Sequence, residues 1–155
     1  MSWLRRLFGG KPDRELRPQR LDYLSEALSL ERQGDYDAAL TSYRLALRDT
    51  PDDPQVLQNM AIAYSKTGRL DDAIRAYRRA LDLKPQLAGA HYGIAFLLLK
   101  KGDVRGADRH LAAFLADPPS DSDAAQWIDH ARRTLDKLRR PAAEPDAPPT
   151  AEREG

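Results

Sequence analysis

Residues 34–51 read GDYDAALTSYRLALRDTP, residues 68–85 read GRLDDAIRAYRRALDLKP, and residues 102–119 read GDVRGADRHLAAFLADPP. Each stretch opens on Gly, carries Ala at its sixth place and closes on Pro. The step from Gly34 to Gly68 to Gly102 is 34 residues, and Pro51, Pro85 and Pro119 keep it. So do Ala39, Ala73 and Ala107, and Leu47, Leu81 and Leu115. Upstream of each Gly, Ala27, Ala61 and Ala95 stand in the same phase. Larger residues vary at fixed places: Tyr43, Tyr77 and Leu111; Leu30, Tyr64 and Leu98; Tyr36, Leu70 and Val104. A period of this length marks a chain made of one supersecondary unit, repeated.

Each place in the period has a physical reading. Gly34 and its equivalents tolerate the left-handed conformation that ends a helix. Asp37 and Asp71 put negative charge at the start of the next helix, where the dipole favours it. The prolines stop that second helix because they cannot donate its next backbone bond. Small Ala27 and Ala39 let paired helices approach, and Tyr23, Leu30, Tyr36 and Tyr43 fill the space around them. The pattern predicts helices at 20–33, 37–48, 54–67, 71–83, 88–101 and 104–116. One such pair cannot bury its own apolar face, but stacked pairs make a continuous core.

These residues resemble the tetratricopeptide repeat family. The match covers about 20–121, in units 20–53, 54–87 and 88–121. The fold this implies is all-α, a right-handed α-solenoid of three helix-turn-helix repeats. The first large residue of the repeat falls on Tyr23, Leu57 and His91. Its second small residue falls on Ala46 and Ala80, but on Phe114 in the third unit. That unit diverges most: Asp108 replaces Leu40 and Ile74, and Gly89, Gly93 and Gly106 lie within its helices, each at a cost of about 1 kcal/mol against Ala. Residues 122–140 read as a capping helix begun by Ser122 or Asp123. Ala124, Trp127, Ile128, Ala131, Leu135 and Leu138 share its inner side. Trp127 is expected to pack against the third repeat. The Pro, Ala and acid composition of 141–155 reads as a disordered tail.

The resemblance implies protein–protein binding on the concave face lined by the first helix of each repeat. Helical phase places Leu21, Leu24 and Leu28 there in the first unit. Gln55, Gln58, Asn59, Ile62, Ser65 and Lys66 follow in the second, and Gly89, Tyr92, Gly93, Phe96, Leu99 and Lys100 in the third. The groove is thus apolar at both ends and polar in the middle. Either Tyr92, Phe96 and Leu99 form a pocket for apolar or aromatic partner side chains, or they pack between helices or against 122–140. Gly89 and Gly93 either admit a partner backbone or are tolerated in a degenerate repeat. One subset of the family grips a terminal carboxylate with Lys, Asn and Arg. Its places fall here on Leu24, Leu28, Asn59, Gly89 and Gly93, so only Asn59 matches and that mode is disfavoured. Lys66 and Lys100 remain available to an acidic partner.

Residues 1–19 form a basic segment and linker. Trp3, Leu4, Leu7 and Phe8 would share one side of a short helix, beside Arg5 and Arg6. Such a segment could lie on an anionic membrane surface as the anchor of a peripheral scaffold, dock on a partner, or fold into the protein's own groove; a frayed terminus is the fourth reading. Net charge is +1 and no basic stripe carries interleaved aromatics, which argues against nucleic acid. Cysteine is absent, and His91, His110 and His130 lack metal-ligand spacing. His91 takes a core place in the repeat, whereas His110 and His130 are expected at the surface. No phosphate-binding loop or nucleophile motif stands out. The expectation is therefore a non-enzymatic adaptor, scaffold or assembly factor with no cofactor and no metal. Nothing approaches the roughly 18 apolar residues of a membrane span, so the expected location is cytoplasmic, with peripheral attachment at a membrane's inner face through residues 1–8 as the alternative.

Overall fold

The computed structural model describes residues 22–142. These form seven helices: α1 (Tyr23–Arg32), α2 (Tyr36–Asp49), α3 (Pro54–Lys66), α4 (Leu70–Leu83), α5 (Ala88–Lys100), α6 (Val104–Ala116) and α7 (Ala124–Arg139). There is no strand among the described residues. The principal contacts run between chain neighbours, with α3 also touching α5. Residues 1–21 and 143–155, including Leu21 and the Trp3–Phe8 segment, lie outside the described residues.

The three turn glycines have φ of +80°, +76° and +79°. Each ends its helix the same way. Gly34 N donates to Glu31 O at 2.9 Å and Asp35 N to Leu30 O at 3.0 Å, and the same pair of bonds recurs at Gly68 and Gly102. This closes carbonyls that the helix leaves open. The residue after the glycine then starts the next helix. Asp35 accepts from Ala38 N at 3.2 Å, and Asp103 accepts from Gly106 N at 2.8 Å. Here the acid does more than suit the dipole: it caps. In the middle repeat Arg69 takes this place without a side-chain cap bond and reaches Asp72 Oδ2 at 3.0 Å instead.

The small residues of the period are fully buried at Ala27, Ala39, Ala61, Ala73, Ala95 and Ala107. Tyr43 and Tyr77 are buried beside them. The carbonyls of two closing prolines, Pro51 and Pro85, are also taken up. Arg79 Nη2 donates to Pro51 O at 2.8 Å, and His91 Nε2 donates to Pro85 O at 2.7 Å. With its Nε2 proton committed, His91 accepts at Nδ1 from His110 Nδ1, 3.0 Å away. His110 is thus a half-buried partner of His91 and not the surface residue expected.

The divergent third repeat has a structural cause, because α7 packs where a fourth repeat would otherwise stack. Asp108 receives two bonds from Arg139 on α7, Nε at 2.8 Å and Nη2 at 2.9 Å. This holds the Asp108 carboxyl below its ordinary range. Phe114 is buried with Ala95, Leu111, Ala131 and Leu135 in a second core that α7 completes. On α7, Ala124, Ala131 and Leu135 are buried, and Ile128 and Leu138 half-buried. Asp123 holds the N-cap place but makes no side-chain cap bond, contrary to expectation.

Candidate peptide-binding groove

The first helices α3 and α5 lie beside each other and leave two adjoining hollows on their open side. The smaller, about 220 Å³, is lined by Ile62, Ser65 and Lys66 of α3, Tyr77 of α4, and Tyr92, Gly93, Phe96 and Lys100 of α5, with Leu97. The larger, about 600 Å³, shares Ile62, Lys66, Tyr77, Tyr92 and Gly93 and extends to Gln58, Gly89, Phe114, Pro119 and Trp127. Among the residues expected in the groove, Gln58, Ile62, Lys66, Tyr92, Phe96 and Lys100 are therefore brought together. Leu24, Leu28, Asn59 and Leu99 line neither hollow. Leu24, Leu28 and Leu99 are half-buried against the main core.

Tyr92 sits at the centre. Its ring lies 4.8 Å from Phe96, 5.2 Å from Phe114 and 5.6 Å edge-on from Trp127. Its hydroxyl meets His130 Nδ1 at 2.7 Å, and burial raises its pKa. Phe96 stacks on the His130 ring at 4.7 Å and 6°. Tyr92 and Phe96 pack against α7, as one of the two readings has it, and their remaining faces wall the hollows. Trp127 packs against the third repeat, as expected, but with part of its ring in the open. It is 48% exposed, touches Tyr92 by one edge, and stands as a wall of the larger hollow.

The glycines of α5 also have a defined task. A Cβ on Gly93 would collide with the Tyr77 hydroxyl, and one on Gly89 would come within 2.8 Å of Gln58 Nε2. Gly93 thus opens a gap in α5 through which the tip of Tyr77, a residue of the second helix, reaches the hollow. Burial pushes the Tyr77 phenol up to about 12. Gln58 Oε1 is buried without a donor among the described residues.

Tyr77, Leu97, Phe114, Pro119 and Trp127 are the lining residues that helical phase on the first helices misses. For Tyr77 a signal was present: the period pairs it with Gly93 as it pairs Tyr43 with Asn59. For Trp127 there was none, because α7 stands outside the period.

Two sequence models of the tetratricopeptide repeat match this chain, over residues 24–88 and 67–127. The chain belongs to the tetratricopeptide repeat family. Among curated tetratricopeptide relatives, the photosystem I assembly protein Ycf3 of Parasynechococcus marenigrum (strain WH8102) is 33% identical over 112 residues, 70% of this chain and 59% of that protein. The peroxisomal targeting signal receptor of Eremothecium gossypii is 33% identical over 82 residues, 53% of this chain and 14% of that protein. The chain thus spans less than two thirds of the length of these relatives. Among solved structures, the type III secretion chaperone SycD of Yersinia enterocolitica, in complex with a peptide of the translocator YopD, superposes with a TM-score of 0.70. It is 16% identical, covering 75% of this chain and 88% of that one. Among the described residues, no helix of this tetratricopeptide chain is long and apolar enough to cross a membrane.

Proposed function

We propose that the protein is a non-enzymatic interaction module that holds a peptide or helix of a partner protein on the face lined by α1, α3 and α5. The observation that carries this reading is the pair of adjoining hollows between α3 and α5. Together they present aromatic and aliphatic walls with two lysines at the rim. An apolar cleft with a few placed polar groups suits side-chain capture from an extended or helical segment. The peptide-bound chaperone SycD has the same fold, which supports the reading.

Affinity capture from the native cell tests it, with the full chain against Lys66→Glu/Lys100→Glu and Trp127→Ala variants. All three residues are exposed, so melting temperatures should barely change. The expected result is a specific protein that cross-links near residue 66 and is lost from both variants. Undiminished capture by both would place the contact on another surface.

A further inference from the structure

The two buried repeat tyrosines are treated differently by the chain. In the first repeat the Tyr43 hydroxyl donates to the Glu31 carboxylate, with Asn59 alongside. One period later those two places hold Ser65 and Gly93. Ser65 is too short to follow Glu31, and Gly93 has no side chain. The Tyr77 hydroxyl is left with no partner among the described residues, although Tyr77 is only 4% exposed. It faces the smaller hollow, in the gap that Gly93 leaves.

Lys66 and Lys100 stand at the same hollow, one at the end of α3 and one at the end of α5. Neither has a carboxylate within ion-pair distance among the described residues. The neighbouring Lys101, by contrast, is held by Asp71 at 2.7 Å. A tyrosine hydroxyl that opens onto the hollow without a protein acceptor, flanked by two lysines without carboxylates among the described residues, suits an anionic acceptor. Glu31 shows which chemistry the same tyrosine takes elsewhere in this fold.

We propose that the smaller hollow is a carboxylate site: an acidic side chain of a partner segment accepts from Tyr77 between Lys66 and Lys100, while a bulky apolar side chain beside it fills the larger hollow. This rests on the groove reading above and names the chemistry that groove selects. The occupant comes from another protein. Residues 1–8 supply aromatics but only basic charge, and the one acid beside a bulky apolar residue further on, Glu15 next to Leu16, is flanked by Arg14 and Arg17, which the two lysines repel. Residues 141–155 supply acids but no aromatic, Leu, Ile, Val or Met for the larger hollow.

The test uses the isotope-labelled full chain and three blocked peptides with the sequence Gly-Ser-X-Y-Gly-Ser, where X-Y is Glu-Phe, Gln-Phe or Glu-Ala. The Glu-Phe peptide should shift the amide signals of Ile62, Gly93 and the Trp127 indole at up to about millimolar peptide. Replacing Glu by Gln, or Phe by Ala, should weaken binding about ten-fold, as loss of a charge-assisted hydrogen bond or of an aromatic anchor does. Tyr77→Phe should weaken the Glu-Phe peptide about ten-fold with an unchanged melting temperature, since its hydroxyl has no partner to lose. Ser65→Glu should restore the first repeat's arrangement, raise the melting temperature and block the peptide. Equal binding of the Glu-Phe and Gln-Phe peptides, wild-type binding by Tyr77→Phe, or no shift at all would overturn the proposal. Shifts on α1 and α3 that ignore Tyr77→Phe would overturn the carboxylate site and leave the groove reading standing. That reading falls only on its own capture experiment.

Discussion

At the scale of single residues, the repeat lets one position be compared with its copies inside the same molecule. Tyr43 and Tyr77 occupy the same place, but only Tyr43 has a hydrogen-bond partner in Glu31. Tyr43→Phe should therefore cost about 1 kcal/mol in chemical denaturation. The corresponding change at Tyr77 should cost close to nothing. Gly34 gives a second expectation. Its φ of +80° disfavours any Cβ although the space around it is open. Gly34→Ala should lose about 1 kcal/mol through backbone strain alone. His110 gives a third. Burial first, then the neighbouring His91 ring and the Arg109 and Arg78 guanidiniums, push its pKa from 6.5 down to about 4, against a smaller opposing effect of Asp103. Between those values the unfolded chain binds a proton that the folded chain refuses. Stability is thus intact above about 6.5 and is lost as pH falls toward 4. The lowered carboxylates Asp22, Asp71 and Asp108 titrate below that window. The melting temperature should drop between pH 7 and pH 5, and less so in His110→Gln. Legibility in the sequence divides along the same line. Gly34 and Ala39 were readable because one residue's own sterics settle their roles. The solitude of Tyr77 was not, because it depends on what two other residues, Ser65 and Gly93, fail to supply.

At the scale of elements, the helices are where the period places them, to within about three residues at each end. The exception is how α7 joins the rest. Its inner residues could be named from their spacing, but not their neighbours, since no copy of α7 exists from which to read a phase. The structure gives α7 three kinds of attachment. Leu135 and Ala131 enter the second core. Arg139 grips Asp108. His130 stacks on Phe96 and meets Tyr92. The apolar attachment should dominate, because the Arg139–Asp108 pair is largely solvated and such pairs contribute little. Leu135→Ala should cost about 2–3 kcal/mol. Arg139→Ala should change the melting temperature only slightly. Amide exchange across 124–139 distinguishes the two: it should rise strongly in the first variant and weakly in the second. The same docking explains why Tyr92 and Phe96 are poor choices for binding mutants, since truncating them disturbs α7 as well as the groove.

At the scale of the whole molecule, the core is two clusters in series. One runs from α1 to α6, and the other joins α5, α6 and α7. The helices touch mainly their neighbours in the chain, so stability is close to a sum of units and of the interfaces between them. Local contacts of this kind also favour fast folding. Native-state hydrogen exchange should show α7 opening at lower free energy than α3 and α4, which are packed on both sides. One further consequence follows from the chain-neighbour packing. Because α3 and α4 meet only what precedes and follows them in the period, the unit 54–87 can be duplicated in frame without any other residue having to change. The copy would bring its own Tyr77, its own Ser65 and its own Lys66. The upstream Tyr77 would then face the copied Asn59 where the present one faces Gly93, so recombination alone can alter reach along a partner one unit at a time, and with it the chemistry of a stop.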